Sequence, residues 1–323
     1  MLRRSLLLAS LLLVFITACT PAPQPIVRIG SNIWPGYEPL YLARSLGWLK
    51  GSNIRLNEYN SSTGVMRALR DGSIEAGTLT LDEVLTLADD DVHLRIVLLM
   101  DVSHGADAVI ARSGLHAPAD LRGRKIGVEA SALGAYMLSR MLEKSGLKLA
   151  DVHVLALPLE QHEAAFAAGK IDAVVSFEPV KSRLLAHGGQ VIFDSSQISG
   201  EIVDVLAVRE SFLARHPDVF RQLTKQWFRA LDYMQQHPAD AAEHMQPRLH
   251  LSIDKILQQY RGLDLSDLSE NRAYFAADAA LARATRLMRV MRAQGLLRRD
   301  VDMTHLFSGK LEFDADGAVT WRP

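Results

Sequence analysis

VRIGSNIWPGYEPLYLARSLGW, residues 27–48, decides the fold. Val27 to Ser31 reads as a short apolar strand. Pro35-Gly36 forces a turn, and Glu38 to Trp48 carries the apolar spacing of a helix. The same couplet recurs downstream: IRLNEY, GVMRALRDG, IEAGTLT and LDEVLTLA follow one another, and the rhythm returns in KIGVEA, LGAYMLSRMLEKSG, VHVLALP, EQHEAAFAAG, IDAVVSFE and PVKSRLLAHGG. Strand and helix patterns in alternation imply an α/β fold with mostly parallel strands, here as two lobes in tandem. ALRDGSIEAG (68–77) and AFAAGKIDAV (165–174) share helix, Gly, Ile, acid and Ala in the same order. Packing demand at a helix-to-strand joint explains that echo as well as lobe symmetry does.

Beyond Asp204 the character changes. VLAVRES reads as a strand, and helical patterns follow over 218–236, 239–245, 252–261 and 271–294. KLEFDADGAVTW then reads as two strands around Asp-Gly, a hairpin expected on the surface of the first lobe.

At the other end, Arg3 and Arg4 precede an apolar run from Leu6 to Thr17 of secretory-signal length, too short to span a bilayer comfortably. Ile16-Thr17-Ala18-Cys19 resembles the bacterial lipobox, which implies cleavage of residues 1–18 and lipidation of Cys19. Residues 19–25 are a proline-rich spacer. Cys19 is the single cysteine of the 323 residues, so the folded part is expected to hold no disulfide, cysteine metal cluster or thiol nucleophile. Cleavage would remove two of 36 basic residues and none of 37 acids, leaving a net charge of about −3. That balance argues against nucleic acid as a partner.

The segment Gly30 to Trp48 resembles the opening of the solute-binding proteins for nitrate, taurine, aliphatic sulfonates and thiamine-precursor pyrimidines. Ser61-Ser62-Thr63-Gly64, Thr78 to Asp82, Glu129 to Gly134 and Ser176 to Pro179 follow in that family's order. The resemblance runs from about residue 27 to 236. It implies a two-lobed type II periplasmic-binding fold: two mixed sheets, flanking helices and two crossing hinge strands, 107–112 and 203–209. Lobe 1 would comprise 26–112 and 201–323, with lobe 2 as residues 113–200. It also implies a monomeric, lipid-anchored, extracytoplasmic protein that hands a small molecule to an ABC permease and ATPase, without cofactor, metal or catalytic residues.

Open α/β sheets bind ligands at the carboxyl ends of strands, beside helix starts. The candidate ligand-binding residues there are Asn32, Trp34, Tyr37 and Glu38 on the first loop; Ser62, Thr63 and Gly64; Thr80 and Asp82; Ser131 and Gly134 in the second lobe; and Glu178 and Asp204. Each group has a plainer reading. Trp34 and Tyr37 can cap the core. Ser62 to Gly64 can be a helix cap. The acids can cap helices or pair with bases. Glu38, Asp82, Glu129, Glu178 and Asp204 bring five carboxyls and no Lys or Arg to these motifs, which favours a cationic or neutral hydrogen-bonding ligand, an amine or heterocycle, over an anion.

Two rival functions stay open. The same lobes can present a ligand to a membrane signalling partner, and pyrimidine-synthase relatives of the fold perform chemistry. Against an enzyme, the chain shows no His-Glu-x-x-His, Gly-x-Ser-x-Gly or Walker loop, and His162, His237 and His244 lack metal spacing.

Overall fold

The computed structural model describes residues 25–129, 131–276, 279–307 and 310–322. Cys19 and the expected signal segment lie outside these residues.

Eleven strands form two mixed sheets. The first has the order β11-β4-β10-β3-β1-β2: β1 (Val27–Ser31), β2 (Ile54–Glu58), β3 (Ala76–Thr80), β4 (Leu94–Ser103), β10 (Val203–Arg209) and β11 (Leu263–Leu265). The second has the order β7-β6-β8-β5-β9: β5 (Asp107–Ala111), β6 (Lys125–Val128), β7 (His153–Ala156), β8 (Ala173–Phe177) and β9 (Gln190–Asp194). In the first sheet β1 lies parallel to β2 and β3, and β10 runs antiparallel between β3 and β4. In the second, β6 lies parallel to β7 and β8, and β5 runs antiparallel between β8 and β9. β3 and β8 are buried at every position, as strands covered on both faces by helices must be.

The repeated joint sits at matching places in the two sheets. Gly72 (φ 81°) ends the helix Ser62–Asp71 before β3, and Gly169 (φ 68°) follows the helix His162–Ala167 before β8. Each strand then lies between one parallel and one antiparallel neighbour. The left-handed turn makes glycine the fitting residue at both joints.

The strands expected to cross between lobes do not cross. β5 is bonded along its length within the second sheet and β10 within the first. The chain passes between sheets at 104–106 and 195–202, so 107–112 belongs with the second sheet rather than the first. The two passages are clasped together: the Ser195 hydroxyl lies 2.8 Å from that of Ser103 and accepts from the Gly105 amide at 2.6 Å.

The longer of the later helices are Pro217–Gln236, Pro238–Leu249, Ile253–Gln259, Leu268–Phe275 and Ala279–Ala293, with short ones at Glu210–Leu213 and Met303–Phe307. The single pattern read over 271–294 is thus two helices, because Ala276 is extended (φ −78°, ψ 131°). Phe220, Leu223 and Trp227 pack the first of these helices into the core. The terminal hairpin, β12 (Lys310–Phe313) and β13 (Val319–Arg322), lies against that helix, the Val319 amide donating to the Thr224 hydroxyl at 2.9 Å. Among the described residues no helix is long and apolar enough to cross a membrane.

Candidate functional site

A small cavity lies where strand ends of both sheets meet helix starts. Asn32 and Trp34 follow β1, Thr80 ends β3 and Asp204 lies near the start of β10. Asp107 begins β5 and Phe177 ends β8. Ser62, Glu83 and Leu133 stand in the first turns of three helices, Ser62–Asp71, Leu81–Asp89 and Ala132–Ser145, and Tyr37 completes the wall. Sheet register sets part of this assembly, since Asp204 pairs with Thr80 on one side and Asp101 on the other. The walls leave about 10 Å³, the room of roughly one water.

The first loop is held from behind by acids. The Trp34 indole N–H donates to Asp101 Oδ2 at 3.2 Å, and the Tyr37 hydroxyl donates to Asp204. Any Cβ at residue 36 would come within 1.9 Å of Asp101 Oδ2, so the Pro-Gly turn is required for this close approach. From the other lobe Phe177 meets Trp34 edge to face, ring centres 5.8 Å apart. Thr63 spans the lobes as well, its hydroxyl donating to Glu129 Oε1 at 3.0 Å.

Buried carboxyls dominate the electrostatics of this cavity. None of its lining residues is Lys or Arg, while Glu83, Asp107 and Asp204 contribute carboxyls with Asp101 just behind. Burial lifts Asp107 to about 7; the Ser103 hydroxyl works against the shift and the charge of Asp82 adds to it. Asp204 is held well above the usual carboxylate range by burial and by Asp101. Glu83 and Asp101 are raised too, again chiefly by burial. One oxygen each on Asp107, Asp204 and Asn32 is buried without a partner.

Six of the thirteen residues singled out in the sequence line the cavity: Asn32, Trp34, Tyr37, Ser62, Thr80 and Asp204. The other seven stand elsewhere. Glu38, fully buried, bonds Arg248, whose guanidinium also stacks on Tyr41 at 3.6 Å and donates to the Asn32 carbonyl at 3.0 Å. Thr63 serves the contact between lobes, and Gly64 abuts Tyr59. Asp82 is buried next to Glu83, which takes the lining position and accepts the Thr80 amide at 3.1 Å. Ser131 caps its helix by accepting the Gly134 amide at 3.2 Å, and Gly134 is packed against the Glu129 backbone; Leu133 between them reaches the wall. Glu178 accepts from the Ser182 amide at 3.1 Å and Gln259 at 3.3 Å, the capping role of the plainer reading.

Glu83, Asp107, Leu133, Phe177 and the supporting Asp101 were missed. Asp101 leaves a signal, an acid interrupting the apolar run LRIVLLMDVS, as does Glu83 at the third position of the Thr80 capping box. The histidines are scattered: His162 bonds Ser176, and His244 bonds Ser45. Among the described residues no three His, Cys, Asp or Glu converge as metal ligands.

Comparison with known proteins agrees with this geometry. The taurine-binding periplasmic protein of Escherichia coli is 26% identical over 193 residues, 59% of each chain, so the match spans under two thirds of that relative. The solved alkanesulfonate-binding protein SsuA of Xanthomonas axonopodis pv. citri, bound to MOPS, superposes with a TM-score of 0.71 at 21% identity, covering 87% of this chain and 97% of that one. The desulfurization enzyme DszB shares the fold too, with a TM-score of 0.62 at 19% identity over 86% of this chain and 95% of its own. Likeness at these identities establishes a periplasmic-binding fold. Residues 20–247 match the pattern of one family throughout, and the chain belongs to the NMT1-like family.

Proposed function

We propose that this protein is an extracytoplasmic solute-binding protein that captures a small molecule between its lobes and delivers it to an ABC importer. The observation that carries the reading is the cavity itself: both sheets contribute strand ends, both lobes contribute helix starts, and contacts between lobes seal it. A pocket that nearly vanishes when sealed admits a ligand by the lobes parting about the passages at 104–106 and 195–202. Ligand contacts made to both lobes then favour the closed state. Taurine- and sulfonate-binding relatives support a transport role over a catalytic one, and the proposal contains no chemical step.

Lipid anchoring at Cys19 belongs to the same proposal. Changing Cys19 to Ser should move the protein from the membrane fraction to the soluble fraction.

The central test is a thermal-shift screen of a form starting at residue 20 against amines, aminated heterocycles, amino acids, sulfonates and nitrate. Binding to the native state at a hundredfold excess over Kd adds about 2.7 kcal/mol of stability. Silence across all classes would overturn the solute-binding reading.

A further inference from the structure

Resting on that reading, we propose that the cavity selects a small organic cation bearing N–H donors, of the amidinium or aminated heteroaromatic class, and rejects sulfonates. Beside the Ser62 and Thr80 hydroxyls and the Asn32 amide, the lining offers three carboxyls and two large aromatic side chains but no cationic side chain. An anion would meet Glu83, Asp107 and Asp204 with no countercharge in the wall. A cation with several N–H groups meets the opposite situation. The free oxygens of Asp107, Asp204 and Asn32 are buried on residues at most 4% exposed, and each lacks a donor that such a ligand supplies. Trp34 and Phe177, one from each lobe, line the cavity and add aromatic carbon against which a delocalised cation packs.

Relatives named for taurine and sulfonates make this a departure from their stated ligands.

Binding of such a cation requires ionised carboxyls, so it should expel protons. Asp107 faces Asp82, Asp101, Asp204 and Glu178; opposing them is Lys181, which bonds the Gly105 carbonyl at 2.7 Å outside the cavity wall. With Asp107 held near 7, a ligand that needs it charged binds better at pH 8 than at pH 5.5. The expected tightening is about tenfold or more.

The experiment is calorimetric titration of the form starting at residue 20 with benzamidine, 4-aminopyridine, tetramethylammonium, taurine and ethanesulfonate at both pH values. Saturable binding of benzamidine or 4-aminopyridine, tighter at pH 8 and with proton release, is the expected result. Ethanesulfonate or taurine saturating the protein while both N–H cations stay silent would overturn the ligand class and leave the solute-binding reading standing. Tetramethylammonium binding as tightly as the N–H cations would overturn the donor requirement. Silence of both N–H cations also overturns the proposal, and the wider screen then decides the function. Asp107→Asn should weaken the N–H cation tenfold or more and flatten the pH dependence; Asp204→Asn is the second variant should the first fail to fold. Unchanged affinity and pH profile in a folded variant would overturn the proposal.

Discussion

Two sets of buried acids in the same lobe behave in opposite ways. Glu38 is fully buried and held by Arg248, itself stacked on Tyr41 and bonded to the Asn32 carbonyl. Asp101 and Asp204 are equally buried, yet their partners are the neutral donors Trp34 and Tyr37, and Asp204 keeps one oxygen free. The first arrangement joins the loop after β1 to the later helices. The second leaves its acids without a countercharge, so burial favours their protonated forms, and a cationic ligand would offset the cost of ionising them. Glu38 with its counterion secures the fold, and the acids that line the cavity without one are those proposed to meet the ligand.

The contrast breaks most sharply at Arg248. Arg248→Met should destabilise the protein by about 3–5 kcal/mol at pH 8, because Glu38 is left buried and unpaired. Burial already lifts Glu38 to about 7 against the pull of Arg248, so the loss should shrink at pH 5, where Glu38 takes a proton. Urea unfolding at the two pH values checks this; a loss under 1 kcal/mol at pH 8 would show that the pair holds nothing.

Next in size is the pH dependence of the ligand-free protein. Asp107 binds its proton more tightly folded than unfolded, so the native state holds more protons between an unfolded value near 4 and the folded value near 7. Its contribution is complete below about pH 4 and lost as pH rises through 7, a change of about 1–4 kcal/mol. Melting temperature should fall from pH 5 to pH 8, and a rise would contradict the unpaired character of the cavity acids. Asp204→Asn sharpens the same point: removing a raised acid should leave stability at pH 8 unchanged or increase it by about 1–2 kcal/mol while weakening ligand. Chemical denaturation together with titration separates the two effects. The smallest effect belongs to Thr63→Val, which deletes a hydrogen bond between lobes and should cost about 0.5–1.5 kcal/mol, read as weaker binding with little loss in melting temperature.

Much of this architecture was legible because its signals are local. The Pro35-Gly36 turn, the glycine joints at 72 and 169 and the alternation of buried strands with amphipathic helices each follow from a few adjacent residues. The cavity wall was legible only where a loop or strand end carried it, as at Asn32, Trp34, Tyr37, Thr80 and Asp204. Which of two adjacent acids faces inward, Glu83 over Asp82, depends on a capping box that turns one side chain back to the Thr80 amide. Asp107 and Phe177 meet through antiparallel register between β5 and β8, pairing residues 70 apart in sequence. Glu38 finds its base 210 residues away, so a motif read by itself shows an unpaired acid. The passages between sheets were misplaced because a fully buried strand has the same apolar pattern in either sheet.

Arg248 falls one residue beyond the stretch that carries the family pattern, yet it fastens a loop inside that stretch. Exchanging the C-terminal helices between relatives would therefore transplant a countercharge along with a surface. A chimera should keep the loop after β1 ordered only when the incoming helix brings a cation to meet Glu38.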